Sequence, residues 1–284
     1  MKRVLAILLL AILVGLFAFA FYLGTKSPSN EREWDVAFSK LNTTDTREDG
    51  SITIHNLRDF TYDIGTTTAR DWRDVTINPD DFESVWFFLD HFKPDTPEVG
   101  HTFISFRMKD GSTIAFSIEA RREAGEKYTF LGGFIRTFDL QYLWGTERDL
   151  IGQRVVLKDE QLYMFPLVLS HEQAVGLFKE FARETNALAA KPRFYNTLTA
   201  NCTNLLAKIV NHYHPGTLPY DISWNLTGLA DGYLEKQGFI ATGSRDRDTM
   251  RTDHALTRHK SEIATHQKDS AADFSSFVRT ILTD

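Results

Sequence analysis

The sequence predicts an α+β fold, an antiparallel sheet packed with helices, preceded by one N-terminal transmembrane helix. Three observations predict it. Residues 4–23 are a continuous apolar run, the first half of the remaining chain holds several strand patterns and a clear hairpin, and the second half holds two capped amphipathic helices. With 42% hydrophobic and 25% charged residues in 284, the composition excludes collagen-like and fully disordered chains. The length beyond the apolar run is enough to bury a sizeable core.

Met1-Lys2-Arg3 precedes Val4 to Leu23, a stretch without a charge. At about 1.5 Å per helical residue, it matches a hydrocarbon core of about 30 Å. The basic residues before it, with only Lys26 close behind, favour an N-in orientation and an exported body. Ala18-Phe19-Ala20 offers a second reading, a signal-peptidase site that releases the body. The apolar run continues past it through Phe21, Tyr22 and Leu23, which favours a retained anchor. The net charge is −6, and beyond residue 26 there are 29 basic residues against 38 acidic, or −9. Such an acidic body has no pull toward phosphate backbones, so nucleic acid is not an expected partner.

Four regions follow: an anchor at 1–24, a polar linker and lead-in at 25–48, a domain at 49–240 and a polar tail at 241–284. Ser51 to His55 and Asp71 to Asn78 read as strands. Pro79-Asp80-Asp81 resembles a helix start, with Phe82, Val85, Trp86, Leu89 and Phe92 at helical spacing. His101 to Met108, a Lys109-Asp110-Gly111 turn and Ser112 to Glu119 form the hairpin. Thr129 to Asp139 and Gln141 to Arg148 are further strand candidates, bent at Gly132-Gly133. Leu162 to Leu169 is another, and Pro166 places it at an edge. Ser170 and Gln173 form a capping box for a helix to about Leu188. A second helix begins at Asn201-Cys202 and ends near His212 to Pro215. The tail reads as peripheral or partly disordered, with a short helix at 274–282.

Cys202 is the single cysteine, so an internal disulfide is excluded. At a helix start, its thiolate is favoured by the helix dipole and free amides. The bland alternative, a small buried hydrophobe, is equally compatible with the sequence. A nucleophilic thiol needs a base. His101, after Gly100 at the start of the clearest strand, is well placed for a sheet-end site. His212 and His214 lie about 15 Å down the helix, and His55 and His91 stay open. Glu119, Arg121 and Arg122 close the hairpin, either beside a site or as a solvated ion pair. His212-Tyr213-His214 has no accompanying HExxH or CxxC, so no metal is expected. No phosphate loop, dinucleotide fingerprint or nucleophile elbow is present, and no cofactor is expected.

Four segments together carry a family resemblance: IHNLRDF (54–60), HTFISF with GSTIAFSIEARREAGE (101–126), TERDLI (146–151) and YNTLTANCTNLL (195–206). They resemble the Lnb N-terminal periplasmic domain family over roughly residues 50–225. The resemblance implies a papain-like thiol fold in permuted order, with the histidine strand before the cysteine helix. Lecithin:retinol acyltransferase-like proteins are similar in that order and in an Asn-Cys-Glu element comparable to Asn201-Cys202-Thr203. It also implies a Cys202–His101 pair that moves an acyl chain from the diacylglyceryl group of a lipoprotein to the amino group of its N-terminal cysteine. The family's namesake has several membrane segments, whereas this chain has one apolar run and a hydrophilic tail.

The resulting expectation is a membrane-anchored acyltransferase or hydrolase at the outer face of a bacterial inner membrane, with a lipid or lipoprotein substrate. Cys202 and His101 would be catalytic. Asn201, Tyr195, Glu119 and Arg121 would be supporting or substrate-binding. A cysteine amidase or peptidase, and a non-catalytic anchored scaffold, are the rival readings. A deep apolar groove beside Cys202 separates lipid from peptide chemistry.

Overall fold

A computed structural model describes residues 2–241 and 246–282. Lys2–Thr25 (α1) is an apolar helix with no buried residue. Among the described residues the body holds eight strands: Thr43–Thr46 (β1), Ile52–Asp63 (β2), Thr66–Ile77 (β3), Phe82–His91 (β4), Gly100–Met108 (β5), Thr113–Arg121 (β6), Asp139–Gly145 (β7) and Gln161–Pro166 (β8). They form one sheet in the order β1-β2-β7-β6-β5-β4-β8, with β3 paired to β2. The sheet is mixed rather than wholly antiparallel, because β2 and β7 run parallel at Arg58↔Gly145. The helices of the body are Phe130–Phe134 (α2), Glu147–Gly152 (α3), His171–Ala190 (α4), Cys202–Tyr213 (α5), Ala230–Lys236 (α6), Arg247–Asp253 (α7), Lys260–His266 (α8) and Ala271–Thr280 (α9).

The helix expected from Phe82 onward is instead β4, after a short 3₁₀ turn at Pro79–Asp81. It pairs with β5 along one side and β8 along the other. Val85, Phe87 and Leu89 enter one core and Phe88 the other. A strand covered on both faces shows no polar alternation, and its apolar run imitates helical spacing. Thr129 to Asp139 also departs from the strand expectation, since Thr129 caps the short α2. The second strand candidate there is β7, which ends at Gly145 before α3. The Ser170 capping box and the edge position of Pro166 are both present.

Helices α4 and α5 cover one face of the sheet. The other face is closed by α3, α8 and α9, with Leu256, Ile263, Phe274, Val278 and Ile281 buried among Phe88, Phe103 and Leu150. The stretch expected as a peripheral tail therefore supplies five of the seventeen buried residues of one core, while residues 242–245 lie outside the described residues. Its polar surface arises because short helices each bury only one or two apolar residues. The lead-in is likewise held down: the Ser29 N–H donates to Asp139 Oδ2 at 2.7 Å, and Asn30 Nδ2 donates to Ala189 O at 2.8 Å.

The parallel bridge is locked by crossed ion pairs. Arg58 reaches Asp149 through Nε (2.7 Å) and Nη2 (2.9 Å), and Arg148 Nη2 reaches Asp59 Oδ1 at 2.8 Å. The Tyr62 hydroxyl and Phe60 N–H also donate to Asp149. Arg58 and Asp149 are buried, and removing one partner of such a pair leaves an uncompensated charge. Phe274→Ala is expected to lower the unfolding free energy by about 3–5 kcal/mol, measured by chemical denaturation in detergent. A change near zero would mean that α9 is not part of the core.

Candidate active site

The site lies where β5 and β6 part. Their pairing ends at Phe103↔Ser117, although β5 starts at Gly100 and β6 runs to Arg121. Beyond that point β5 stays with β4, and β6 stays with β7. The result is a fork at the sheet end, with His101 on one prong and Glu119 on the other. The start of α5 packs against both strands. The Thr102 amide, free of the β6 ladder, donates to the Cys202 sulfur.

Asn201 sets the position of that helix start. Its Oδ1 accepts the Asn204 N–H at 2.8 Å, and Asn204 Oδ1 accepts the Asn201 N–H at 3.1 Å. Asn201 Nδ2 donates to the Thr197 and Trp224 carbonyls, each at 2.9 Å. Both amide hydrogens are used, so Asn201 is a strut and has none left for a substrate oxyanion. The Cys202 backbone N–H, in the first turn of α5, lies outside the intrahelical ladder.

His101 Nε2 is 2.7 Å from Ser117 Oγ and 3.3 Å from Glu119 Oε1. Ser117 Oγ donates to Glu119 Oε1 at 2.7 Å, so Nε2–H donates to Ser117. Nδ1 is then the nitrogen left to face the thiol, with which the ring shares a hydrogen bond. Burial alone would lower the His101 pKa, but Glu119 and the Cys202 thiolate raise it to about 9. Burial pushes the thiol up, yet the imidazolium, the Thr102 amide and the Thr203 hydroxyl bring it below its ordinary value. Glu119 is partly buried, and His101 and Arg154 hold it well below the usual carboxylate range. Each group thus favours the charged form of the other, thiolate beside imidazolium.

Tyr195 is buried beside the thiol, with its ring edge-on to Tyr128 at 6.2 Å. Burial, then the Cys202 charge, raises its hydroxyl well above the usual value, so it stays a donor. Arg121 is not brought to the site. Its Nε donates to Phe38 O at 3.0 Å and its guanidinium lies 4.0 Å from the Trp34 ring centre, fastening the lead-in. His91 bonds Gly228 O and His55 sits between Asp45 and Asp74, so neither is free to serve Cys202.

Two participants escaped sequence reading. Ser117 relays between His101 and Glu119. Arg154, buried on a π-turn at Gln153–Leu157, places Nη2 3.1 Å from Glu119 Oε1 and Nε 3.3 Å from Asp90 Oδ2. Its signal was an arginine inside an apolar run, IGQRVVL. Burial, then the neighbouring Glu160, raises Asp90 well above the carboxylate range.

An apolar groove opens next to the dyad. Its empty space, continuous with solvent, is about 850 Å³. Thr102 and Thr203, the residues after His101 and Cys202, form one end, and their hydroxyls are 3.0 Å apart. Thr203 Oγ1 is 3.9 Å from Cys202 Sγ. From there the groove follows Leu206, Ala207 and Val210 to Tyr213, about 15 Å along α5.

The family model for the Lnb N-terminal periplasmic domain matches residues 68–227, which spans β3 to the 3₁₀ turn before α6 and includes every residue of the fork. The chain belongs to the Lnb N-terminal periplasmic domain family. Comparison with curated proteins and with solved structures gives no match. An Lnb N-terminal domain behind an apolar helix fits a single-pass membrane protein with a periplasmic body.

Alkylation of Cys202 by iodoacetamide is expected to titrate below the ordinary thiol midpoint. His101→Ala removes the imidazolium and moves the midpoint upward, while Glu119→Gln lowers the imidazole pKa from about 9. An ordinary midpoint that neither change moves would rule out the ion pair.

Proposed function

We propose that this Lnb-family protein is a thiol acyltransferase or hydrolase that takes an acyl chain from a membrane lipid or lipoprotein. The observation that carries the reading is the apolar groove beside Cys202. A peptide or peptidoglycan amidase calls for an open polar cleft there, so the groove favours an acyl chain over a peptide. The order of histidine strand β5 before cysteine helix α5 supports a permuted papain-like arrangement.

The Cys202 thiolate attacks the ester carbonyl of the lipid. A C–S bond forms, the ester C–O bond breaks, and the His101 imidazolium gives its proton to the departing alcohol oxygen. The product is a thioacyl-enzyme. An amine then attacks the thioester, passes a proton to the imidazole, and leaves as an amide with the thiolate restored. Water in place of the amine gives hydrolysis. The Cys202 backbone N–H and the Tyr195 hydroxyl serve as donors to the developing oxyanion in this reading. Glu119, held by Ser117 and Arg154, fixes the ring orientation. The anchor keeps the site at the bilayer and raises the effective concentration of lipid substrates.

The test is mass spectrometry of lipoprotein N-terminal peptides from a bacterial strain without endogenous N-acylation. Expression of the native chain is expected to yield lyso-form peptides, and Cys202→Ala none. Unchanged diacylglyceryl peptides in both, with folded protein present, would exclude lipoprotein transacylation.

A further inference from the structure

Around the dyad lie exposed apolar side chains that the thiol chemistry does not use. Phe130 and Leu131 on α2 are 53% and 68% exposed, Leu198 on the loop before Cys202 is 50% exposed, and Ile222 beyond α5 is 57% exposed. Their three segments are hydrogen-bonded to one another. Thr197 Oγ1 donates to Phe130 O at 3.0 Å, and Asn201 Nδ2 joins Thr197 O to Trp224 O. The sequence FLGGF has no charge, and its two glycines let α2 lie flush on the body. A Cβ on Gly133 would stand 2.0 Å from Thr197 Oγ1, and one on Gly132 would stand 2.9 Å from the Phe138 ring. The bulky residues of α2 are thereby left facing outward.

The position of α1 indicates what covers this rim. One residue beyond the helix, Lys26 Nζ donates to the Ile135 and Arg136 carbonyls at 3.2 and 3.4 Å. Arg136 Nη1 donates back to Leu23 O, in the last turn of α1, at 2.8 Å. These bonds fasten the end of α2 to the point where the span leaves the hydrocarbon. A five-residue helix is only about 7 Å long, so Phe130 and Leu131 stay at that level. Lys26 and Arg136 are placed to meet lipid phosphates there.

We propose that Phe130, Leu131, Leu198 and Ile222 form a membrane-dipping rim, seated in the interfacial layer of the phospholipid bilayer that α1 spans. The partner of this face is the bilayer itself. The rim follows from α1 as a span and does not depend on the acyl-transfer reading.

The full chain is reconstituted in phosphatidylcholine–phosphatidylglycerol vesicles with Cys202→Ser, or Cys202→Ala should that fold better, removing the native thiol. Single Leu131→Cys, Leu198→Cys, Ile222→Cys and Ile64→Cys changes carry a nitroxide. Ile64 is also exposed, 64%, but lies at the β2–β3 turn, at the sheet end opposite the fork. Electron paramagnetic resonance saturation then compares collision with oxygen, which concentrates in lipid, and with a water-soluble nickel chelate. Labels at 131, 198 and 222 are expected to favour oxygen over nickel at least threefold relative to the label at 64. Nickel access at 131 and 198 equal to that at 64 would overturn the proposal, whatever Cys202 catalyses.

Discussion

Burying a thiolate beside an imidazolium costs several kcal/mol per ion unless further charges compensate, and the sheet end is arranged around that constraint. From the thiol outward the charges alternate: Cys202, His101, Glu119, Arg154. The next group, Asp90, is pushed toward its neutral form by burial and by Glu160, so the series does not continue into a second buried anion facing Arg154 alone. The ladder between β5 and β6 has to stop at Phe103↔Ser117 for this series to exist. A continued ladder would occupy the Thr102 amide that now donates to the sulfur. The fork thus supplies both the space and the donor, β6 supplies Glu119, and the π-turn at Gln153–Leu157 supplies Arg154.

The elements legible in the sequence were those with local signals. The hairpin showed its turn, α4 and α5 showed their caps, and Pro166 marked an edge. What failed was decided by distant partners. Phe82 to His91 is a strand because β5 and β8 pair with it, and its helical spacing reflects burial on two faces. The C-terminal helices looked peripheral because each contributes only one or two buried residues, although together they close a core. At the site, Cys202, His101, Tyr195 and Glu119 are brought together and Asn201 anchors the helix start. Arg121 turns away to Trp34, since its place on β6 puts it past the fork beside the lead-in. Ser117 and Arg154 were hidden for a common reason: a relay hydroxyl and a buried counter-ion matter only through contacts remote in sequence.

The groove and the fork share the first turn of α5. Thr203 lies beside the sulfur on one side and lines the groove on the other. The rim of α2 and Leu198 stands on the loops that hold this same turn, through Thr197 and Asn201. Anchor, rim, groove and nucleophile are therefore linked by short hydrogen-bonded steps rather than by separate modules.

The central claim is that Cys202 and His101 form a buried ion pair held by Glu119. Its most direct measurement is an NMR titration of the His101 imidazole in the detergent-solubilised full chain. A midpoint near 9 is predicted, falling in Cys202→Ala because one of the two charges that raise it is gone. A midpoint near the ordinary value of about 6.5, unmoved by that substitution, would contradict the account.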